Sequence, residues 1–204
     1  GFLLSGAEGD TVEAAACILA CGGAASPKHS CGDGYALAKS LGHTVTQLYP
    51  ALTQLICAGK SAKSIAGVRR AARAALLADG KEIHAESGDV QFTDTGLSGI
   101  CIFGLSIYAA EYFARGSIGG RPYKGLSVAL DCLPEWSFSE VSAYLLEMRT
   151  AYPERMAGDL LAGVVNLRVG YALVQAAGID PAQAAKFVAP GQLQKLAALV
   201  KAWR

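Results

Sequence analysis

Along the chain the spacing of apolar positions changes character, and each change marks a different kind of element. Phe2 to Leu4 and Thr11 to Glu13 flank the turn-rich run Gly6-Ala7-Glu8-Gly9-Asp10, which predicts a small hairpin. The next run, Ala15-Ala16-Cys17-Ile18-Leu19-Ala20, is apolar without alternation and stops at Gly22-Gly23. That pattern predicts a strand covered on both faces, as in a parallel sheet. After a polar loop with Pro27, His29 and Ser30, Gly32-Asp33-Gly34 precedes a helical pattern from Tyr35 to Leu41, closed by Gly42. From Leu48 the spacing is that of short strands. Leu52 to Cys57 and Val68 to Ala78 are candidates, Asp79-Gly80 is a hairpin turn into Lys81 to Glu86, and Gly88-Asp89 turns into Val90 to Thr93. Leu97 to Arg115 returns to helical spacing through Ile102, Leu105, Tyr108, Ala109 and Tyr112, and Tyr123 to Leu133 reads as strand.

The last third is helical. Ser137-Phe138-Ser139-Glu140 is a capping box, with Trp136 placed to staple onto Val141 and with Val141, Leu145 and Met148 as the buried stripe. Asp180-Pro181-Ala182-Gln183 reads as a second helix start, and Leu193, Leu196, Val200 and Trp203 as a final amphipathic helix. The order predicts an α+β fold: a strand-helix piece, a small antiparallel β-barrel and a helical bundle. The boundary falls near residue 47, with 1–47 as one segment and 48–204 as the other, the latter mainly β over 48–135 and helical over 136–204.

Composition narrows the class. Of 204 residues, 52% are hydrophobic and only 17% charged, against a usual share of about 25%, so a disordered or acidic-tail chain is excluded. The longest stretch without a formal charge, Ser40 to Gly59, is broken by Pro50 and by several polar side chains, so the chain reads as soluble. A net charge of +1 provides no overall field for nucleic acid or anionic lipid, and neither is expected as a partner. The opening Gly1-Phe2-Leu3-Leu4 has no initiator Met and no leader pattern, which reads as a piece of a longer protein. Six cysteines, mostly inside apolar runs, read as reduced thiols in a cytoplasmic protein.

Candidate chemistry concentrates in the glycine loops. A strand ending in Ala20-Cys21-Gly22-Gly23 lets another backbone or a cofactor approach closely, and Gly32-Asp33-Gly34 at a helix start offers free N–H groups to a polar ligand. Neither loop is the Gly-x-Gly-x-x-Gly fingerprint, and the same residues also suit plain turns. Cys17, Cys21, His29 and Cys31 lack zinc-site spacing, so no metal is expected. Cys21 or Cys31 beside a helix N-terminus is a candidate for a thiol of lowered pKa. Lys39, Lys60, Lys63, Arg69, Arg70 and Arg73 fall in a stretch without acidic residues, but few aromatics interleave them, and a solvated face is the expected reading. His43 and His84 show no triad pattern and receive no role.

Three stretches together resemble one family: Ile18-Leu19-Ala20-Cys21-Gly22-Gly23-Ala24-Ala25-Ser26-Pro27, Ser30-Cys31-Gly32-Asp33-Gly34-Tyr35, and Leu41-Gly42-His43 with Tyr49-Pro50-Ala51-Leu52. Gln91-Phe92-Thr93-Asp94-Thr95-Gly96-Leu97-Ser98-Gly99 is similar to a second signature of the same family, in the right order downstream. The family is the bacterial flavoproteins known as NAD(FAD)-utilising dehydrogenases or aminoacetone-oxidase-like FAD-binding enzymes. The resemblance implies a parent about twice this length whose FAD-binding domain is split around an insert domain of β-barrel and helices. Gly1 to about Gln47 would end the first FAD-domain part, and 48–204 would be the insert. It implies that Ala20, Gly22 and Gly23 lie against the FAD where the sheet ends, and that Ser30, Gly32, Asp33 and Gly34 approach the flavin side. Cys31 stands where a threonine is more usual, and Ile100 where many members have proline.

The function implied is that of an FAD-dependent oxidoreductase in the parent, with this chain supplying a substrate-side cap and part of the flavin pocket. NAD(P)H as a co-substrate is left open, no catalytic acid or base is assigned, and the chain alone is expected to be inactive and to hold FAD poorly without the fingerprint. Expected partners are the remaining FAD-domain segments, a small-molecule substrate and, through the apolar run Ile18 to Gly23, a second copy. The alternative is a non-catalytic docking module that folds on its own.

Overall fold

The computed structural model describes residues 1–26, 28–58, 64–115, 117–118, 121–122 and 125–204, with backbone alone at 117–118 and 121–122. Pro27, Lys60, Lys63 and Tyr123, which the sequence reading invoked, lie outside the described residues. The chain divides into two compact units, Gly1–Leu48 and Tyr49–Arg204.

In the first unit, strands β1 (Phe2–Ser5) and β2 (Thr11–Ala14) form the expected antiparallel hairpin, with Phe2 opposite Ala14 and Ser5 opposite Thr11. Helix α1 covers Asp33–Ser40, two residues earlier than the apolar spacing indicated, because Gly32 takes the N-cap position. The expected buried strand over Ala15 to Ala20 does not form. These residues pair with no strand among the described residues, and Ile18 is 89% exposed. An apolar run becomes a strand only where neighbouring strands take up its backbone N–H and C=O groups, and the described residues offer none.

The second unit is built on an antiparallel sheet in the order β3-β6-β5-β4-β9, comprising β3 (Leu55–Ile56), β4 (Arg69–Ala78), β5 (Lys81–Phe92), β6 (Gly96–Ser98) and β9 (Leu126–Asp131). A separate two-stranded ribbon pairs β7 (Ser117–Ile118) with β8 (Arg121–Pro122). The Asp79-Gly80 turn is the one expected, but β5 runs unbroken through Gly88-Asp89, where a second turn was anticipated. Ten residues of β4 hold β5 in register on that side, which leaves no room for a turn.

Helix α2 (Ile100–Arg115) lies across β5 with the two chains running in opposite directions. Cys101 sits over Gly88, Gly104 over Glu86 and Tyr108 over His84. The strand period of two thereby matches helix steps of three and four. The helix starts three residues later than Leu97, because 96–98 instead form β6, with Leu97 opposite both Leu55 and Phe92. Gly99, at φ +107°, makes the change from strand to helix; a Cβ there would lie 2.2 Å from the Asp89 carbonyl oxygen. No L-residue fits that position without moving the backbone.

Helices α3 (Phe138–Ala151), α4 (Leu167–Ala176) and α5 (Pro190–Lys201) make the remainder. The capping box of α3 is complete: Glu140 N–H donates to Ser137 Oγ (3.2 Å), and Ser137 N–H donates to Glu140 Oε2 (2.7 Å). Val141 and Leu145 are buried and meet Val169, Leu173, Leu193, Leu196 and Val200 in one core that is continuous with the sheet's inner face. The helix expected to start at Asp180 is instead a turn and a short 3-10 segment, Ala185–Phe187. The carbonyls of Pro181 and Gln183 accept from Gly158 and Ala157 N–H (3.0 and 2.8 Å), so they are not free to carry helical bonds. The last helix begins at Pro190, where Gln192 Oε1 accepts from Ala189 N–H (2.9 Å). Trp203 lies beyond it and bridges back to Leu130 of β9.

Candidate functional site

In the first unit the two glycine loops meet. Ser30 Oγ donates to the Cys21 carbonyl (3.0 Å), tying the end of the apolar run to the loop that starts α1. A Cβ on Gly34 would lie 2.6 Å from Cys21 Sγ, and a Cβ on Gly23 would lie 2.7 Å from Tyr35 Oη. The glycines therefore let segment 21–23 fold directly onto segment 30–35. Gly22 (φ +79°) and Gly32 (φ +82°) are left-handed, so both chain reversals depend on the missing Cβ.

Six of the seven expected residues, Gly22, Gly23, Ser30, Gly32, Asp33 and Gly34, are gathered in this crossing, while Ala20 stands exposed just before it. Two residues outside the expected cofactor-binding set organise it. Tyr35 supplies the ring against which Gly23 and Gly32 are closed, and Cys21 fills the space beside Gly34. The available signal was an aromatic residue three positions after a glycine at a helix start.

The lowered thiol pKa considered for Cys31 is overturned. Cys31 Sγ donates to Asp33 Oδ2 (3.1 Å), and both this bond and the negative charge of Asp33 push the thiol up. The carboxylate at the helix start outweighs whatever the exposed N-terminal amides supply. Among the described residues no group of three or more His, Cys, Asp or Glu side chains could hold a metal ion. No helix among them is long and apolar enough to cross a membrane.

The basic residues of the second unit do not line up as one face. Arg70 turns inward, its Nη2 donating to the carbonyls of Cys132 and Val164, and burial lowers its pKa. Arg69 bonds Gln91 (3.1 Å) and Arg73 pairs with Glu82 (2.5 Å). His84, given no role from sequence, sits 3.0 Å from Glu86 Oε1 and stacks on Tyr108 at 3.8 Å between ring centroids. Strand alternation placed His84 and Glu86 on one face, but only the packed helix brings Tyr108 to them.

Residues 49–204 match the family model described as the HI0933-like protein barrel and H2TH domain. The chain is also similar to the 3-dehydro-bile acid delta(4,6)-reductase of Clostridium scindens, with 33% identity over 197 residues. That alignment covers 96% of this chain and 46% of the reductase, so the chain spans less than half the length of the relative it matches.

Proposed function

The chain belongs to the HI0933-like family of FAD-binding, NAD(FAD)-utilising dehydrogenase-like flavoproteins, and on that footing we propose that it is part of an FAD-dependent oxidoreductase. Its first unit would contribute to the flavin pocket, and its second would form a cap on the substrate side. The observation that carries this reading is the glycine crossing, where Gly22, Gly23, Gly32 and Gly34 bring two backbone segments into direct contact beside the exposed Asp33.

What supports such a cofactor is the partly accessible backbone of the crossing and the exposed Asp33 beside it; the space directly over Gly23, Gly32 and Gly34 is taken by Tyr35 and Cys21, so a ring would approach from the outer side of the crossing. Asp33 is an acceptor for hydroxyl or ring N–H groups, and Ser30, which spends its proton on Cys21, still accepts. When bound, FAD supplies the electron-transfer chemistry at its isoalloxazine ring. What this chain's residues would do is hold that ring's surroundings in place and exclude bulk from the crossing. The substrate class we carry over from the relative's name is a 3-dehydro-bile acid; NAD(P)H as electron source is an extension of the same proposal.

Phe2, Leu3, Leu4, Ile18, Leu19 and Leu41 are exposed in the first unit. Such a surface supports further FAD-domain segments as its natural cover and leaves a second copy as the competing cover. In the full-length protein, Asp33→Ala is expected to weaken FAD retention about tenfold, the loss of one charge-assisted bond. Gly32→Val should abolish the yellow flavin band. A full-length protein that purifies without flavin, or whose flavin affinity is unmoved by both changes, would reject the proposal.

A further inference from the structure

Helix α2 is apolar on both sides, whereas a helix at a protein surface carries charge on its outer face. Its inner side, with Cys101, Ile102, Leu105, Ala109 and Tyr112, is buried. On the opposite side Ile100, Phe103, Ile107, Ala110 and Ala114 recur at alternating steps of three and four, the spacing that keeps a stripe in line along a helix. Ile100 is 79% and Ile107 42% exposed, Ala114 is exposed, and Phe103 and Ala110 are half-buried. The helix carries only two charges, Glu111 and Arg115, and they pair with each other.

The patch is wider than the helix. Thr53 N–H donates to Ser106 Oγ (3.3 Å), which sets Leu52, 75% exposed, along one flank; Tyr108, 39% exposed, borders the other flank, where it stacks on His84. Together these side chains offer about 500 Å² in each copy, so a symmetric pair would hide about 1,000 Å², the smallest area usual for a specific contact.

The stripe also complements itself. In an antiparallel pair centred on Ile107, Ile100 of one copy meets Ala114 of the other and Phe103 meets Ala110 and Glu111, so bulky residues fall against small ones. Glu111 and Arg115 of each copy then lie beside the uncharged first half of the other helix, away from their twins. A parallel pair would set Ile100 on Ile100 and Glu111 on Glu111, bulk against bulk and like charge against like charge. We infer that the outer face of α2 is the contact between two copies of this chain, related by a two-fold axis at Ile107. The inference goes beyond the proposed function, since it requires no flavin and uses a different surface from the apolar run Ile18 to Gly23.

The test is sedimentation equilibrium of the 204-residue chain and of the full-length protein, each expected to be a dimer with a dissociation constant in the micromolar range. Ile107→Asp puts a carboxylate on the axis against its twin and should raise that constant at least about thirtyfold, with circular dichroism unchanged because the side chain stands at the surface. Ile18→Asp should leave it within about twofold. Register is read by copper-phenanthroline oxidation and peptide mass spectrometry. Ile107→Cys should link to itself, and Ile100→Cys should link to Ala114→Cys in a mixture of the two but not to itself. A monomeric wild type, a dimer unmoved by Ile107→Asp, a dimer lost in Ile18→Asp, or 100–100 links in place of 107–107 links would each overturn the inference. So would a dimer of the 204-residue chain that is lost in the full-length protein, since other FAD-domain segments would then cover the face. Flavin content, measured on the same samples, tests the proposed function separately.

Discussion

Lys201 is the side chain whose removal the structure penalises in the most legible way. It ends α5 and reaches back to the sheet, where Nζ lies 2.7 Å from Asp131 Oδ2 and donates to the carbonyls of Leu133 (2.8 Å) and Trp136. The ammonium therefore closes three groups at the point where β9 leads into α3. The two side chains are 20% and 15% exposed, so the pair is mostly but not wholly out of water. Removing one partner of a fully buried pair costs about 3–5 kcal/mol. Partial access lets water replace some of the lost bonding, so Lys201→Met should cost about 2–3 kcal/mol. For a unit of this size that corresponds to roughly 5–10 °C in Tm.

The assay is urea unfolding followed by tryptophan fluorescence, since Trp136 and Trp203 both lie in the second unit. Adding Asp131→Asn to Lys201→Met should recover about 1 kcal/mol, because the second change removes the stranded carboxylate. A single-variant loss below about 0.5 kcal/mol, or a double variant in which the two losses simply add, would refute the view that the clasp acts as a charge pair.

Three further outcomes follow from the same geometry. Gly99→Ala places a Cβ 2.2 Å from the Asp89 carbonyl oxygen at φ +107° and should destabilise the second unit by at least about 2 kcal/mol in chemical denaturation. Bonds from Ser137 hold the Glu140 carboxyl below its ordinary pKa. Their stabilisation is present above the unfolded pKa and fades as pH falls through the folded one, so Ser137→Ala should raise the Glu140 pKa seen by NMR and flatten the acid limb of stability. Burial, opposed by Arg70, pushes the Cys132 thiol up to about 11. At pH 8 it should therefore resist alkylation while Cys21 reacts, and become reactive only on unfolding; comparable rates in the native protein would contradict its burial.

What could be read from the sequence depended on how local its cause was. The Asp79-Gly80 turn, the Ser137 capping box and the α5 stripe as far as Val200 rest on neighbours within a few residues, and each formed where its residues indicated; Trp203, expected on the same helix, lies past its end and bridges to Leu130. The failures have distant causes. Asp180-Pro181 has the chemistry of a helix start, but Ala157 and Gly158 claim its carbonyls from across the bundle. Ala15 to Ala20 has the composition of a buried strand without the neighbours to make one. At the glycine crossing, the residue types pointed to close backbone approach, and that is what they provide. That Tyr35 and Cys21 are what they approach depends on tertiary geometry. The same holds for Tyr108 above His84.

The bridge between Leu130 and Trp203 carries a temporal consequence. β9 is held on one side by β4, which precedes it, but its other side is closed by residues that leave the ribosome last of those described. At translation rates of about 5–20 residues per second, that gap is several seconds long. During it the sheet is synthesised yet unsealed, with β9 presenting an open edge. Nascent chains should then be most prone to strand-mediated misassociation, and most dependent on chaperone occupancy, between the emergence of β9 and the arrival of α5.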